Sequence, residues 1–130
     1  MFSNSNWTGV AARIALAVVC VQTTAIRADE FSGTPLKMGV YECYDQNANI
    51  DTVMMFGLID ATSYKNYDGD VGSYAFDAES GIIQVGLQTG APARFVRIGA
   101  TAFRALNEDG KLAGFVCPLN SAKDPNSPPW

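Results

Sequence analysis

The chain has 130 residues, no histidine, and nine basic against thirteen acidic residues, a net charge of −4. Without histidine it lacks the usual general base near neutral pH, the partner of a serine nucleophile and the commonest zinc ligand. Its acidic balance also disfavours nucleic acid and anionic membrane surfaces, which both require basic protein surface.

The first segment reads as a secretory leader. Arg13 precedes the apolar run Ile14–Val21, and small residues follow at Thr23, Thr24, Ala25 and Ala28. A basic start, a short apolar stretch and small residues at the cut are the order of a signal peptide. The run is well short of the roughly 20 residues that span a bilayer. Cleavage is expected after Ala28, with Ala25 as the other candidate position. Lipidation at Cys20 is disfavoured because Val19 stands where a small residue is expected. Residues 1–28 are therefore assigned to the leader, 29–120 to one domain and 121–130 to a tail. Loss of Arg13 and Arg27 leaves a mature net charge of −6. Loss of Cys20 leaves Cys43 and Cys117, which can pair in an oxidising compartment.

Beyond the leader no stretch shows helical periodicity. The chain instead breaks into short β-rich runs: 36–44, 52–59, 62–66, 73–77, 82–87, 94–99, 101–106 and 111–117. Between them lie Asp-, Asn- and Gly-rich turns at 45–49, 68–72, 78–81, 88–92 and 108–110, where Asp and Asn bond their own backbone and Gly supplies positive φ. Alternation is clear in several runs. Tyr74 and Phe76 share one face, as do Tyr41 with Cys43, and Ala113 with Phe115 and Cys117. Period two with one aromatic face marks half-buried antiparallel strands. Seven or eight of them predict an all-β domain, a small antiparallel barrel or a sandwich. A Cys43–Cys117 disulfide ties the first run to the last. The tail, 121–130, is polar and proline-rich and reads as disordered or extended chain, with Trp130 either free or folded back.

Few residues remain for chemistry. Asp68, Asp70, Asp77 and Glu79 lie in or beside turns, where solvated carboxylates are normal. Tyr67–Gly72 lacks the later oxygen ligands of a calcium loop and reads as a hairpin turn. Arg94, Arg97 and Arg104 fall on adjacent predicted runs. They either form a small cationic patch for a carboxylate or sulfate, or point outward and meet acids across the sheet. Arg97 shares a face with Phe95, and Arg104 with Leu106. The aromatic residues suit a filled core or a barrel lined for one small ligand, and the short chain favours the filled core.

Gly39-Val40-Tyr41-Glu42-Cys43, Gly72-Ser73-Tyr74-Ala75-Phe76-Asp77 with Ser80-Gly81, and the late Cys117 resemble a pattern of small exported bacterial β-domains. Among these are the periplasmic inhibitors of c-type lysozyme. In that family a Ser-Gly-x-x-Tyr loop enters the lysozyme cleft. The resemblance implies a similar role for Ser80 and Gly81, although Gln84 stands where the family has tyrosine. The expected protein is a monomeric, non-catalytic binding or accessory domain, periplasmic or secreted, without cofactor or metal and without membrane insertion after leader cleavage. It recognises another protein, a basic one suiting its charge, or an envelope component. The alternative is a small-ligand barrel using Arg94, Arg97 and Arg104 at its mouth.

Overall fold

The computed structural model describes residues 31, 33–86 and 92–130, so the predicted leader and the 88–91 part of one predicted turn lie outside the described residues. Eight strands follow in chain order: β1 (Gly39–Tyr41), β2 (Phe56–Leu58), β3 (Ser63–Asn66), β4 (Val71–Asp77), β5 (Ile82–Gly86), β6 (Pro92–Gly99), β7 (Ala102–Leu106) and β8 (Leu112–Asn120). Each pairs antiparallel with the next, and β8 pairs with β1, so the sheet closes into an up-and-down barrel. Closure settles the choice between barrel and sandwich, and it removes the free strand edges.

Alternation along the strands decides which side chains turn inward. Tyr41, Phe56, Leu58, Tyr64, Tyr74, Ile83, Val85, Phe95, Phe103 and Ala105 are buried together with both cysteines. Tyr41, Phe56, Phe95 and Phe103 form the centre. Their rings stack or meet edge to face at 4.9–6.0 Å between centroids, within the favourable range for aromatic pairs. Four interlocked rings at the centre make a packed core. The Tyr41 hydroxyl donates to the Lys37 carbonyl at 2.7 Å. Burial pushes its pKa up to about 12, only partly offset by the nearby Arg97 cation. Gly72 faces Tyr64 across β3 and β4, and a Cβ there would lie 2.7 Å from the Tyr64 ring. The absent side chain is the space that ring uses.

The turns are set by aspartates. Asp45, Asp51, Asp60, Asp77, Asp109 and Asp124 each accept the N–H of the second residue after them, at 2.8–3.1 Å. Asn66 does the same for Asp68, and its amide donates to the Asp70 carboxylate. These local bonds nucleate turns without help from distant residues. N–H groups of Thr62 and Ser63 hold the Asp60 carboxyl below the usual aspartate range.

The barrel closes through few pairs. β1 meets β8 at Val40–Asn120 and Tyr41–Leu119, with a further bridge from Tyr44 to Val116. Beside this seam the Cys43–Cys117 disulfide joins the two ends, its Cα atoms 4.0 Å apart. Glu42 lies there too, nearly buried, accepting from Asn120, Lys123 and the Tyr44 hydroxyl. Burial works to raise its pKa, but the bonds from Lys123 and Asn120 and the lysine's charge outweigh it and hold the carboxyl below its ordinary value.

Of the two arrangements expected for Trp130, the structure has the folded-back one. Residues 121–130 neither extend away nor lie free. They turn back over the outside of β2 and β3, where the Lys65 ammonium donates to the Asn126 carbonyl and Trp130 meets Tyr67 edge to face. Composition does not show where it docks, because the anchors, Glu42, Gly57, Lys65 and Tyr67, are remote in sequence.

Two outcomes are expected. Replacing both Cys43 and Cys117 with alanine lowers unfolding stability by about 4 kcal/mol in denaturant titrations, on chain-entropy grounds for a 74-residue separation. The ionised Glu42 contributes about 1 kcal/mol as a partly exposed ion pair. Because its folded pKa lies below the unfolded one, that contribution is full above the ordinary glutamate range and is lost as pH falls through the lower folded value. The stability difference between wild type and Glu42→Gln is therefore constant near neutral pH and shrinks in acid.

Candidate functional site

Ser80 and Gly81 form the β4–β5 turn. The Ser80 hydroxyl donates to the Asp77 carboxylate at 2.9 Å and accepts the Ile82 N–H at 3.3 Å. With the Glu79 N–H, this bond holds the Asp77 carboxyl below its usual range. Gly81 is buried at φ 73°, donates to the Asp77 carbonyl, and accepts the Arg97 N–H at 2.8 Å. Both residues therefore hold the turn together. Beside them a shallow groove of about 260 Å³ is lined by Ala75, Phe76, Asp77, Ile82 and Gln84.

The three arginines do not converge. Arg97 points into the barrel and is 3 % exposed. Its guanidinium donates to the carbonyls of Thr34 and Pro35 at 2.8 and 3.0 Å, and to those of Gly99 and Ala100 at 3.3 and 3.0 Å. The Phe31 ring lies 5.7 Å from its carbon centre. Arg97 thus ties the segment before β1 to a bulge where Ile98 is the extra residue between Arg97 and Gly99. A guanidinium suits this task because its five donors lie in a fixed fork. Arg94 and Arg104 face outward. Arg94 donates to the Glu108 carbonyl at 3.1 Å. Arg104 donates at 3.0 Å to the Ala113 carbonyl, within an irregularity where Ala113, Gly114 and Phe115 stand opposite Ala105 alone. Bulges free a backbone group from the ladder, and here an arginine satisfies it. The expected cationic mouth is not assembled. The sequence signal was present for Arg97, whose shared face with Phe95 points it inward.

Register places a different set of residues together. Ile82 pairs with Val96, Val96 with Arg104, Arg104 with Val116, Val116 with Tyr44, and Tyr44 with Ile50. Directly paired residues share a face, and this one is the outside of the barrel. The result is a continuous row of six side chains across β5–β8 and onto the loop after β1, adjoining the groove through Ile82. Ile50 is 46 % and Val116 38 % exposed. No sequence signal shows this row, because its members come from five separate stretches of chain.

Charge is also sorted by topology. In an up-and-down barrel alternate connections share an end. One end therefore carries Asp45 and Asp51 after β1, Asp68 and Asp70 after β3, and Glu108 and Asp109 after β7, with Lys111 as the basic residue in these connections. Among the described residues no group of three or more His, Cys, Asp or Glu is placed to hold a metal ion, and no helix is long and apolar enough to cross a membrane.

No protein-family model, curated protein or solved structure matches this chain.

The arginine geometry predicts unequal costs. Arg97→Ala removes a buried guanidinium that bonds four backbone carbonyls and destabilises the protein by about 3 kcal/mol or more. Arg94→Ala, at an exposed bond, costs no more than about 0.5 kcal/mol. Thermal unfolding of the two variants under one buffer checks the order.

Proposed function

We propose that this protein is an exported, non-catalytic binding domain that recognises another protein, and that the outer row from Ile82 to Ile50 is its contact face. The row itself carries the reading. Aliphatic side chains surround one arginine and one tyrosine, the two residue types that interface centres favour alongside tryptophan. Exposed apolar side chains placed contiguously mark interaction surfaces more often than scattered ones do. The ring-filled core and the dispersed arginines favour this reading over a small-ligand barrel.

The partner is a basic protein. The Tyr44–Ile50 end of the row flanks the Asp45–Asn49 turn, at the barrel end that gathers the acidic connections. Carboxylates there steer a basic partner towards the apolar row and raise its on-rate. Export is supported by the disulfide, a bond that persists in oxidising compartments. The resemblance to inhibitors of c-type lysozyme makes that basic enzyme the first partner to try, although Gln84 and the internally bonded Ser80 differ from an inserting loop.

Turbidity assays with a c-type lysozyme, run beside isothermal titration, test the proposal. Inhibition with saturable binding is expected. Val116→Asp and Ile50→Asp, both at exposed positions, should weaken it tenfold or more, whereas Val71→Asp on β4 should not. Full lysozyme activity and no heat of binding at excess protein would reject lysozyme as the partner. Binding that is indifferent to Val116 and Ile50 would reject the row.

A further inference from the structure

The C-terminal segment sits in a seat with the marks of a peptide-binding site. Its floor is Gly57 on β2: a Cβ there would come 2.9 Å from Trp130 Cζ2 and 3.0 Å from Pro125 Cβ. Only a residue without a side chain lets the indole and the proline lie this close to the strand. Tyr67 forms an aromatic wall, its ring 6.4 Å from that of Trp130 and at 71° to it. The Lys65 ammonium donates to the Asn126 carbonyl at 3.1 Å, a contact with main chain that does not depend on the side chain at that position. Pro128 lies over Gly69, with 3.7 Å to the place of a Cβ.

The bound segment is preorganised. The Asp124 carboxylate accepts the Asn126 N–H and the Ser127 hydroxyl, and the indole N–H of Trp130 donates to the Asp124 carbonyl at 2.9 Å. Residues 124–130 therefore close a loop on themselves and present prolines and an indole to the barrel. Val40, paired directly with Gly57, is fully buried at this face.

We propose that the outer face of β2 and β3 with the turn after β3, built from Gly57, Lys65, Tyr67 and Gly69, is a docking site for a proline-rich segment of a partner protein that carries an indole. The chain's own C-terminus holds the site as an intramolecular competitor. The chemistry that recognises the segment is apolar stacking on a bare strand plus one main-chain contact, and none of it requires the segment to be covalently attached. This site lies on different strands from the Ile82–Ile50 row and stands independently of it. A short tether gives the attached segment an effective concentration on the order of millimolar, so a partner must displace it to bind.

The test uses the full chain and a fluorescein-labelled heptapeptide with the sequence of residues 124–130. By fluorescence anisotropy the Trp130→Ala chain should bind this peptide at least tenfold more tightly than wild type. Adding Gly57→Val to Trp130→Ala should abolish that binding. No saturable binding to Trp130→Ala at millimolar peptide, or binding unaffected by Gly57→Val, would overturn the proposal. A second measurement avoids substitutions: with 5-fluorotryptophan at Trp130, unlabelled peptide should move the fluorine resonance from its seated to its free position. An unmoved resonance would overturn the proposal. A concentration-dependent dimer that exchanges tails would assign the seat to a second copy, and would overturn the partner assignment as well.

Discussion

A barrel exists only if its first strand pairs with its last, and in this protein that seam is the weakest part of the sheet. β1 is three residues long and meets β8 at two paired positions. Nearly everything unusual near the termini serves this closure. The disulfide fixes the chain just past β1 to β8. Glu42, between them, gathers Asn120, Lys123 and Tyr44. Arg97 ties the chain entering β1 to the end of β6, with bonds to the Thr34 and Pro35 carbonyls on one side and to those of Gly99 and Ala100 on the other. Loop closure over such sequence distances costs entropy that local contacts cannot return, so the seam is held by covalent, ionic and hydrogen bonds as well as by the core.

The same economy explains the acidity. Thirteen acidic residues suggest a binding field, yet six of the aspartates are engaged in bonding the N–H groups of their own turns. The negative charge at one barrel end is therefore first a consequence of how the connections fold. Alternate connections of a meander gather it at one end, where they flank the Tyr44–Ile50 pair.

The barrel presents two unlike outer faces. Across β5–β8 the pairing aligns aliphatic side chains around Arg104, half-buried at Ile82 and Val96 and exposed at Val116. Across β2–β3 a glycine opens the strand, and the chain end fills the opening. Inside, the packed rings fill the barrel. The arginines divide along the same line: Arg97 holds one end of the barrel closed, Arg104 serves a bulge and sits within the exposed row, and Arg94 tops β6. Three residues that look alike in sequence thus have three different environments, because one residue of alternation separates inside from outside.

The sequence by itself determined the local structure. Eight β-rich runs separated by Asp, Asn and Gly turns correspond to the eight strands, and boundaries shift by a few residues, most at 36–44, where only Gly39–Tyr41 enters the ladder. The inward aromatic face was legible for the same reason, because alternation and turn bonding act between residues close in the chain. The cysteine pair, 74 residues apart, was legible because only two cysteines remain beyond the leader. Tertiary structure alone decided the rest. Barrel against sandwich depends on whether β8 meets β1. The row from Ile82 to Ile50 depends on register across five pairings, and the seat of Trp130 depends on a glycine more than seventy residues away. Such contacts are chosen by the free energy of the whole closed sheet, which no local window of sequence contains.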